Sequence, residues 1–251
     1  SMKKISIILS MLFALTITAQ NGPEIWMTYE LKVKKGMQDK FENAVAKKMK
    51  KFNNSEDTAM FTFEIMDGEN QGMYSRGHGW KTWDFLNSID TRGEEMKYWN
   101  ENVDPYIESQ TGWKVWERLA WVSHNWTKET SFRFMTVQRR FMKPGMDQDI
   151  INFLRRMKVV YDENNFTGIV GVFRVISGGN TNEYIICRGF DSYGDNGEFP
   201  DTDKNLEELY NEKFGWEAYR KDAKMYNDAL EMYSRTTERY HLNEKLSTST
   251  N

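Results

Sequence analysis

An α+β fold in which one βαββαβ unit is used twice follows from three observations on the sequence. The stretch MTYELKVKKGM at residues 27–37 comes back as MTVQRRFMKPGM at 135–146. Later landmarks return in the same order: Phe61 as Phe173, Arg76-Gly77 as Arg188-Gly189, and Glu117-Arg118 as Glu238-Arg239. Each half also passes from strand-like alternation to helical spacing and back. A period of a little over a hundred residues is too long for a solenoid repeat and suits a duplicated domain.

Residues 1–20 stand apart from the repeat. Ser1 reads as a remnant ahead of a natural start at Met2, Lys3 and Lys4 form a short basic segment, and Ile5 to Ala19 are apolar. That run has the length of a signal-peptide core and is short for a bilayer span, and Thr18, Ala19 and Gln20 offer a small-residue processing site. The expectation is a cleaved signal and a secreted or periplasmic protein with no membrane segment after cleavage. Loss of Lys3 and Lys4 takes the formal charge from −3 to −5, which argues against a nucleic-acid partner. The only cysteine, Cys187, leaves no intramolecular disulfide, so packing must hold the fold. A mature chain of about 230 residues buries roughly 70% of its unfolded surface, enough for two small cores or a shared one.

The first unit is expected over 24–122. Ile25, Met27, Tyr29, Leu31 and Val33 alternate with polar neighbours as a strand does, Gly36 ends the run, and Phe41, Ala44, Val45, Met49 and Phe52 then form a helical stripe. Phe61, Phe63 and Ile65 alternate again, Asp67-Gly68-Glu69-Asn70 turns, and 73–78 completes a hairpin. A helix is expected at 93–104, ended by Pro105, with a fourth strand at 113–121. After a linker at 123–131, the second unit over 132–243 repeats the order. It runs through a strand from Phe132, a helix bearing Ile150, Phe153 and Met157, strands at 169–176 and 184–190, one long helix to about Met232, and a last strand from Thr236. The Ser/Thr-rich tail, 244–251, reads as disordered.

This order with four-stranded antiparallel sheets is the ferredoxin-like layout, whose helices cover one sheet face and leave the other free. Two such sheets in one chain can face each other as an intrachain α/β barrel. On the strand-Lys-x-Gly-Met-helix openings, the Arg-Gly ends of the third strands and the order of elements, the sequence resembles the dimeric α/β-barrel superfamily over nearly all of the mature chain. That superfamily includes antibiotic-biosynthesis monooxygenases, stress-responsive barrel proteins and tandem-domain chlorite dismutases, and the resemblance implies a fold and not an activity. Its haem enzymes take an axial histidine from the C-terminal half. Of His78, His124 and His241 only the last lies there, in a predicted strand, so no cofactor is assigned.

No motif names a reaction. Carboxylates in the loop at 191–203 miss the EF-hand register, and the His, Cys, Asp and Glu spacings fit no zinc site, so no metal is expected. There is no phosphate loop and no nucleophile elbow. Eight of nine tryptophans fall in the first half, either as core filling or as exposed rings able to stack on a glycan.

If the apolar alternation of each strand packs on the helices, the alternate positions face the space between the sheets. That reading places Thr28, Glu30, Lys32, Thr62, Glu64, Tyr74, Arg76, His78 and Arg118 inward from the first half. From the second it places Thr136, Gln138, Arg140, Val172, Arg174, Ile186, Arg188, Phe190 and Arg239 inward, and it sends Cys187 to the helix side. The candidate ligand site is thus Arg76, Arg188, Tyr74, His78, Arg118, Arg140, Arg174 and Arg239, where an anion would balance the buried arginines. Strand-end arginines reaching solvent, or pairing with helix carboxylates, are the alternative. The expected function is binding of a small anionic, partly apolar molecule, by a monomer or homodimer. A cofactor-independent oxygenase or haem-binding enzyme, and an interaction module using exposed tryptophans, remain open beside it.

Overall fold

The computed structural model describes residues 22–89 and 93–249, so the signal-peptide expectation at 1–20 lies outside the described residues. The chain forms β1 (Ile25–Val33), α1 (Gln38–Phe52), β2 (Phe61–Ile65), β3 (Tyr74–Lys81), α2 (Trp83–Ile89), α3 (Gly93–Asn102), β4 (Ile107–Gln110) and β5 (Lys114–Arg118). It continues with β6 (Phe134–Phe141), α4 (Asp147–Glu163), β7 (Ile169–Ser177), β8 (Glu183–Phe190), α5 (Leu206–Phe214), α6 (Ala218–Asp228) and β9 (Thr236–Leu242). Within the units the strand orders are β2-β3-β1-β5 and β9-β6-β8-β7, the ferredoxin-like arrangement twice over.

The two sheets are joined edge to edge. β5 pairs with β7, with Trp116 opposite Val175, and β2 pairs with β9, with Phe63 opposite Leu242. With β3 also paired to β1, the ring closes as an antiparallel barrel with β4 outside it beside β1. The tandem α/β barrel expected from the sequence is therefore the fold.

Three cores result. Phe41, Val45 and Met49 of α1 pack on Tyr29, Leu31 and Tyr74 outside the first sheet. Ile150, Phe153, Met157 and Val160 of α4 pack on Val170, Val172 and Ile186 outside the second. Phe63, Ile65, Trp116, Met135, Val137, Phe173, Cys187 and Tyr240 line the barrel's interior. Full burial of each large apolar side chain stabilises by about 1.5–3 kcal/mol, so the lumen is as much a core as either helical layer.

Three local expectations change. The long helix expected after residue 203 is two helices, because Gly215 (φ 103°) and Glu217 (φ 57°) take left-handed backbone that no helix continues. A short strand, β4, forms after Pro105 where none was expected; it is an edge strand of four residues with little alternation to reveal it. The tail is also ordered as far as Ser249. A 3₁₀ turn at Glu244–Leu246, capped by the Asn243 side chain, buries Leu246 completely in the first core, and Thr248 bonds to Met60 and Asn53. One leucine supplies the apolar anchor that Ser/Thr composition conceals. Leu246→Ala should therefore lower stability by about 2–5 kcal/mol in urea unfolding, a cost that an unanchored tail would not show.

Candidate functional site

A cavity of about 1960 Å³ runs from the barrel lumen out over the loops at 54–60, 127–133 and 244–249. Its wall is largely aromatic. Trp26 lies 5.2 Å from Phe173, 5.3 Å from Trp80, 5.7 Å from Phe61 and 6.0 Å from Trp126, ring centre to ring centre. Inward-facing glycines make room for these rings. A Cβ on Gly79 would stand 2.6 Å from Trp26, one on Gly171 2.6 Å from Trp126, and one on Gly189 2.4 Å from Phe132. Trp80 holds a left-handed backbone (φ 58°), uncommon for a bulky residue, and stacks under the Arg118 guanidinium at 5.1 Å.

The mouth is rimmed by the loop before β2 and by the linker between the units. Lys128 pairs with Glu56 at 2.9 Å across the rim, and the Lys81 ammonium donates to the carbonyls of Glu56 and Asp57. The linker is itself packed: Ser123, His124 and Trp126 are buried, and His124 forms a bridge with Val170.

The deep end is closed by a charge cluster. Arg139 pairs with Glu183 and, at 3.1 Å, with Glu30; Lys114 pairs with Glu183 at 2.7 Å; the Tyr240 hydroxyl donates to Glu30 at 3.4 Å. Glu183 is 1% exposed, which is tolerable only because two cations meet it. Burial works against the charge on Arg139, but Glu30 and Glu183 outweigh it and raise its pKa. Burial, and then Glu30, hold the Tyr240 phenol well above its usual range. Two cations and two carboxylates balance, so the lumen does not call for an anion.

The expected site residues are dispersed. Thr28 and Glu30 do face inward, opposite Gly77 and Ser75. Arg76, Tyr74 and His78 face the helices of the first unit instead. Arg76 is fully buried, donating to Thr62 Oγ1, the Tyr29 hydroxyl and Met49 Sδ, and lying 5.2 Å from the Trp99 ring. Tyr74 donates to Glu42, and burial together with that carboxylate raises its pKa. His78 bonds to the Ala59 carbonyl and packs on Phe85.

The remaining arginines leave the lumen as well. Arg174 pairs with Glu117 and Arg239 with Asp67, both on the outside; Arg118 pairs with Glu24 at the mouth; Arg140 and Arg188 face the helices of the second unit. Cys187 faces the lumen and not the helices, opposite Val137, although burial still pushes its thiol up to about 12 and leaves it inert.

Two causes account for the reversal. The lumen is itself apolar, so Phe61, Phe63 and Ile65 turn inward and Thr62 and Glu64 outward. The second copy of the opening stretch also carries one extra residue before its glycine. Aligning Met27-Thr28 with Met135-Thr136 therefore slips the register by one, and a one-residue slip exchanges the two faces. Counted from Gly36 and Gly145, Glu30 and Arg139 are the equivalent positions, each six residues before its glycine and each inward. Strand alternation alone misses most lumen residues, Arg139, Tyr240, Trp116 and Trp126 among them; counting from the glycines recovers Arg139.

Comparison with solved structures gives the same fold. A monooxygenase-like protein from Lactobacillus acidophilus NCFM superposes with a TM-score of 0.57 at 9% identity, over 92% of this chain and 98% of that one. The chain has the dimeric α/β-barrel fold. An anthrone oxidase-like protein (TM-score 0.51, 10% identity, 89% and 92% covered) is also similar. So is a mutant chlorite dismutase from Candidatus Nitrospira defluvii (TM-score 0.52, 7% identity, 88% and 92% covered). No family model matches the sequence, and no characterised protein matches it by sequence.

A haem held by histidine does not fit this α/β barrel. Among the described residues no histidine lines the lumen or the smaller cavity between the second sheet and its helices. His124 uses both ring nitrogens, on Asp162 and the Phe166 carbonyl, and His241 stacks on Phe134 outside the barrel. Among the described residues no group of three or more His, Cys, Asp and Glu is placed to hold a metal ion, and no helix is long and apolar enough to cross a membrane.

The charge cluster makes a direct prediction. Arg139→Met leaves Glu183 and Glu30 without their shared partner and should cost about 3–5 kcal/mol in urea unfolding, and adding Glu183→Gln should recover part of the loss.

Proposed function

We propose that the protein binds a small, flat, largely apolar molecule in the barrel lumen. The single observation that carries the reading is the combination of an aromatic-walled chamber, open at one end, with a deep end whose charges are already paired. Rings of Trp26, Trp80, Trp126 and Phe173 offer faces and edges for stacking, and the Tyr240 hydroxyl and Thr28 stand where a polar substituent would arrive. Paired charges favour a neutral or weakly polar ligand over an anion in this chamber. The apolar run at Ile5–Ala19 supports export to a periplasmic or extracellular space, and N-terminal sequencing of the native protein, expected to begin near Asn21, checks it.

A second reading is favoured by the likeness to monooxygenase-like and anthrone oxidase-like proteins: a cofactor-independent oxygenase acting on an activated aromatic molecule in the same chamber. It requires a base, and Glu30 is the lumen carboxylate within reach of a deep-lying substrate. The reaction would turn an activated CH2 into a carbonyl with one atom of dioxygen, the two hydrogens lost from that carbon leaving with the other atom as water, so that the substrate itself supplies the electrons.

One titration separates the two. Anthrone added without oxygen should quench tryptophan emission saturably, and Cys187→Phe, which puts a ring into the lumen, should weaken that binding about tenfold or more while the circular dichroism stays native. Quenching that never saturates would rule out the lumen site. Admission of oxygen then decides the chemistry, because uptake that Glu30→Gln abolishes is the mark of the oxygenase.

A further inference from the structure

A second cavity, of about 290 Å³, lies outside the barrel between the second sheet and helices α4–α6. Its floor is apolar, made by Val170, Val172, Ile186, Leu154 and Met157. Its polar edge is unusual in carrying three arginines, Arg140 on β6, Arg188 on β8 and Arg235 just before β9, together with the phenols of Tyr161, Tyr219 and Tyr226. Among the described residues none of the three guanidiniums has a carboxylate partner. Arg188 donates at 3.4 Å to the Tyr161 hydroxyl, Arg235 at 2.6 Å to Asn227 Oδ1, and Arg140 to the carbonyls of Arg139 and Thr236 and at 3.4 Å to Gln138 Oε1. Nearby carboxylates are committed elsewhere: Asp222 to Arg156 and Tyr210, and Glu207 to Arg220.

Three like charges around one partly buried cavity repel, and neutral acceptors do not cancel them. Arginine forks suit a carboxylate or phosphate, and the phenols add donors to the same group. The floor, however, is hydrocarbon, so an inorganic anion would leave most of the cavity unfilled. A volume near the lower limit for small-molecule sites favours a short body over a long chain.

We propose that this wedge is a second binding site, independent of the lumen, for a small monocarboxylate with an alkyl or aryl body, its carboxylate held by Arg188 and Arg235 and its body laid on Val170, Val172 and Ile186. Among the described residues the wall of this cavity contains no tryptophan, so its occupancy can be followed separately from the tryptophan-lined lumen.

Calorimetry with octanoate tests the proposal, with octan-1-ol as the uncharged twin. Octanoate should bind saturably, octan-1-ol about tenfold more weakly, and Arg188→Met and Arg235→Met should each weaken octanoate about tenfold while leaving anthrone quenching unchanged. Arg235 is exposed, so its variant keeps the fold whatever becomes of the other. Thermal melting adds a readout that a structural role would move the other way: without ligand, Arg188→Met should melt no lower than the parent, since it removes repulsion. Octanoate affinity unchanged in both variants, absence of saturable octanoate binding, or displacement of octanoate by anthrone would each overturn the proposal.

Discussion

Everything described here depends on two seams of backbone hydrogen bonds, β5 with β7 and β2 with β9. A ferredoxin-like sheet alone has two unpaired edges and one uncovered face, both of which are liabilities in water. Joining the edges of one unit to those of the other satisfies the edges and buries the uncovered faces in the same step. The lumen, its aromatic wall and its closed deep end exist because the seams hold; without them the interior rings would be an exposed apolar sheet.

The closed ring also decides where polarity can go. Both faces of every barrel strand are covered, one by helices and one by the opposite wall, so both can be apolar and polar groups must find partners wherever they fall. In the first unit Arg76 is satisfied by a hydroxyl, a phenol, a thioether and an indole face. In the lumen Arg139 is satisfied by two carboxylates. In the second unit's helical layer, Arg140, Arg188 and Arg235 reach only neutral acceptors among the described residues, and a cavity is found beside them. Internal neutrality at one site and its lack at the other is the main chemical contrast between the two cavities.

The fold was legible because duplication, period-two alternation and helical stripes are local signals that survive without homologues. Phe41, Val45 and Met49 on one stripe and Gly36 before it were enough to place α1. The facing of the strands was not legible in the same way. Alternation tells that Phe61, Phe63 and Ile65 share a face, but when both faces are buried it cannot tell which one meets the helices. Register between copies failed for a related reason: the repeated Met-Thr pair looks like an anchor, yet the left-handed glycines that end the strands are the positions the backbone fixes. The same ambiguity misplaces Arg140 and Arg188, which line the helix side of the second sheet and not the lumen.

The pairing of Glu30 with Arg139 has a consequence for how such a molecule can be assembled. Because the two residues occupy equivalent places in the two copies and touch, they lie beside the axis that relates the halves. Were either half to meet an identical twin in the same way, Glu30 would face Glu30, or Arg139 would face Arg139, inside a low-dielectric chamber. Divergence at this one position therefore commits each half to the other and makes the covalent tandem a lasting arrangement, since separate genes for identical subunits could not rebuild the same interior.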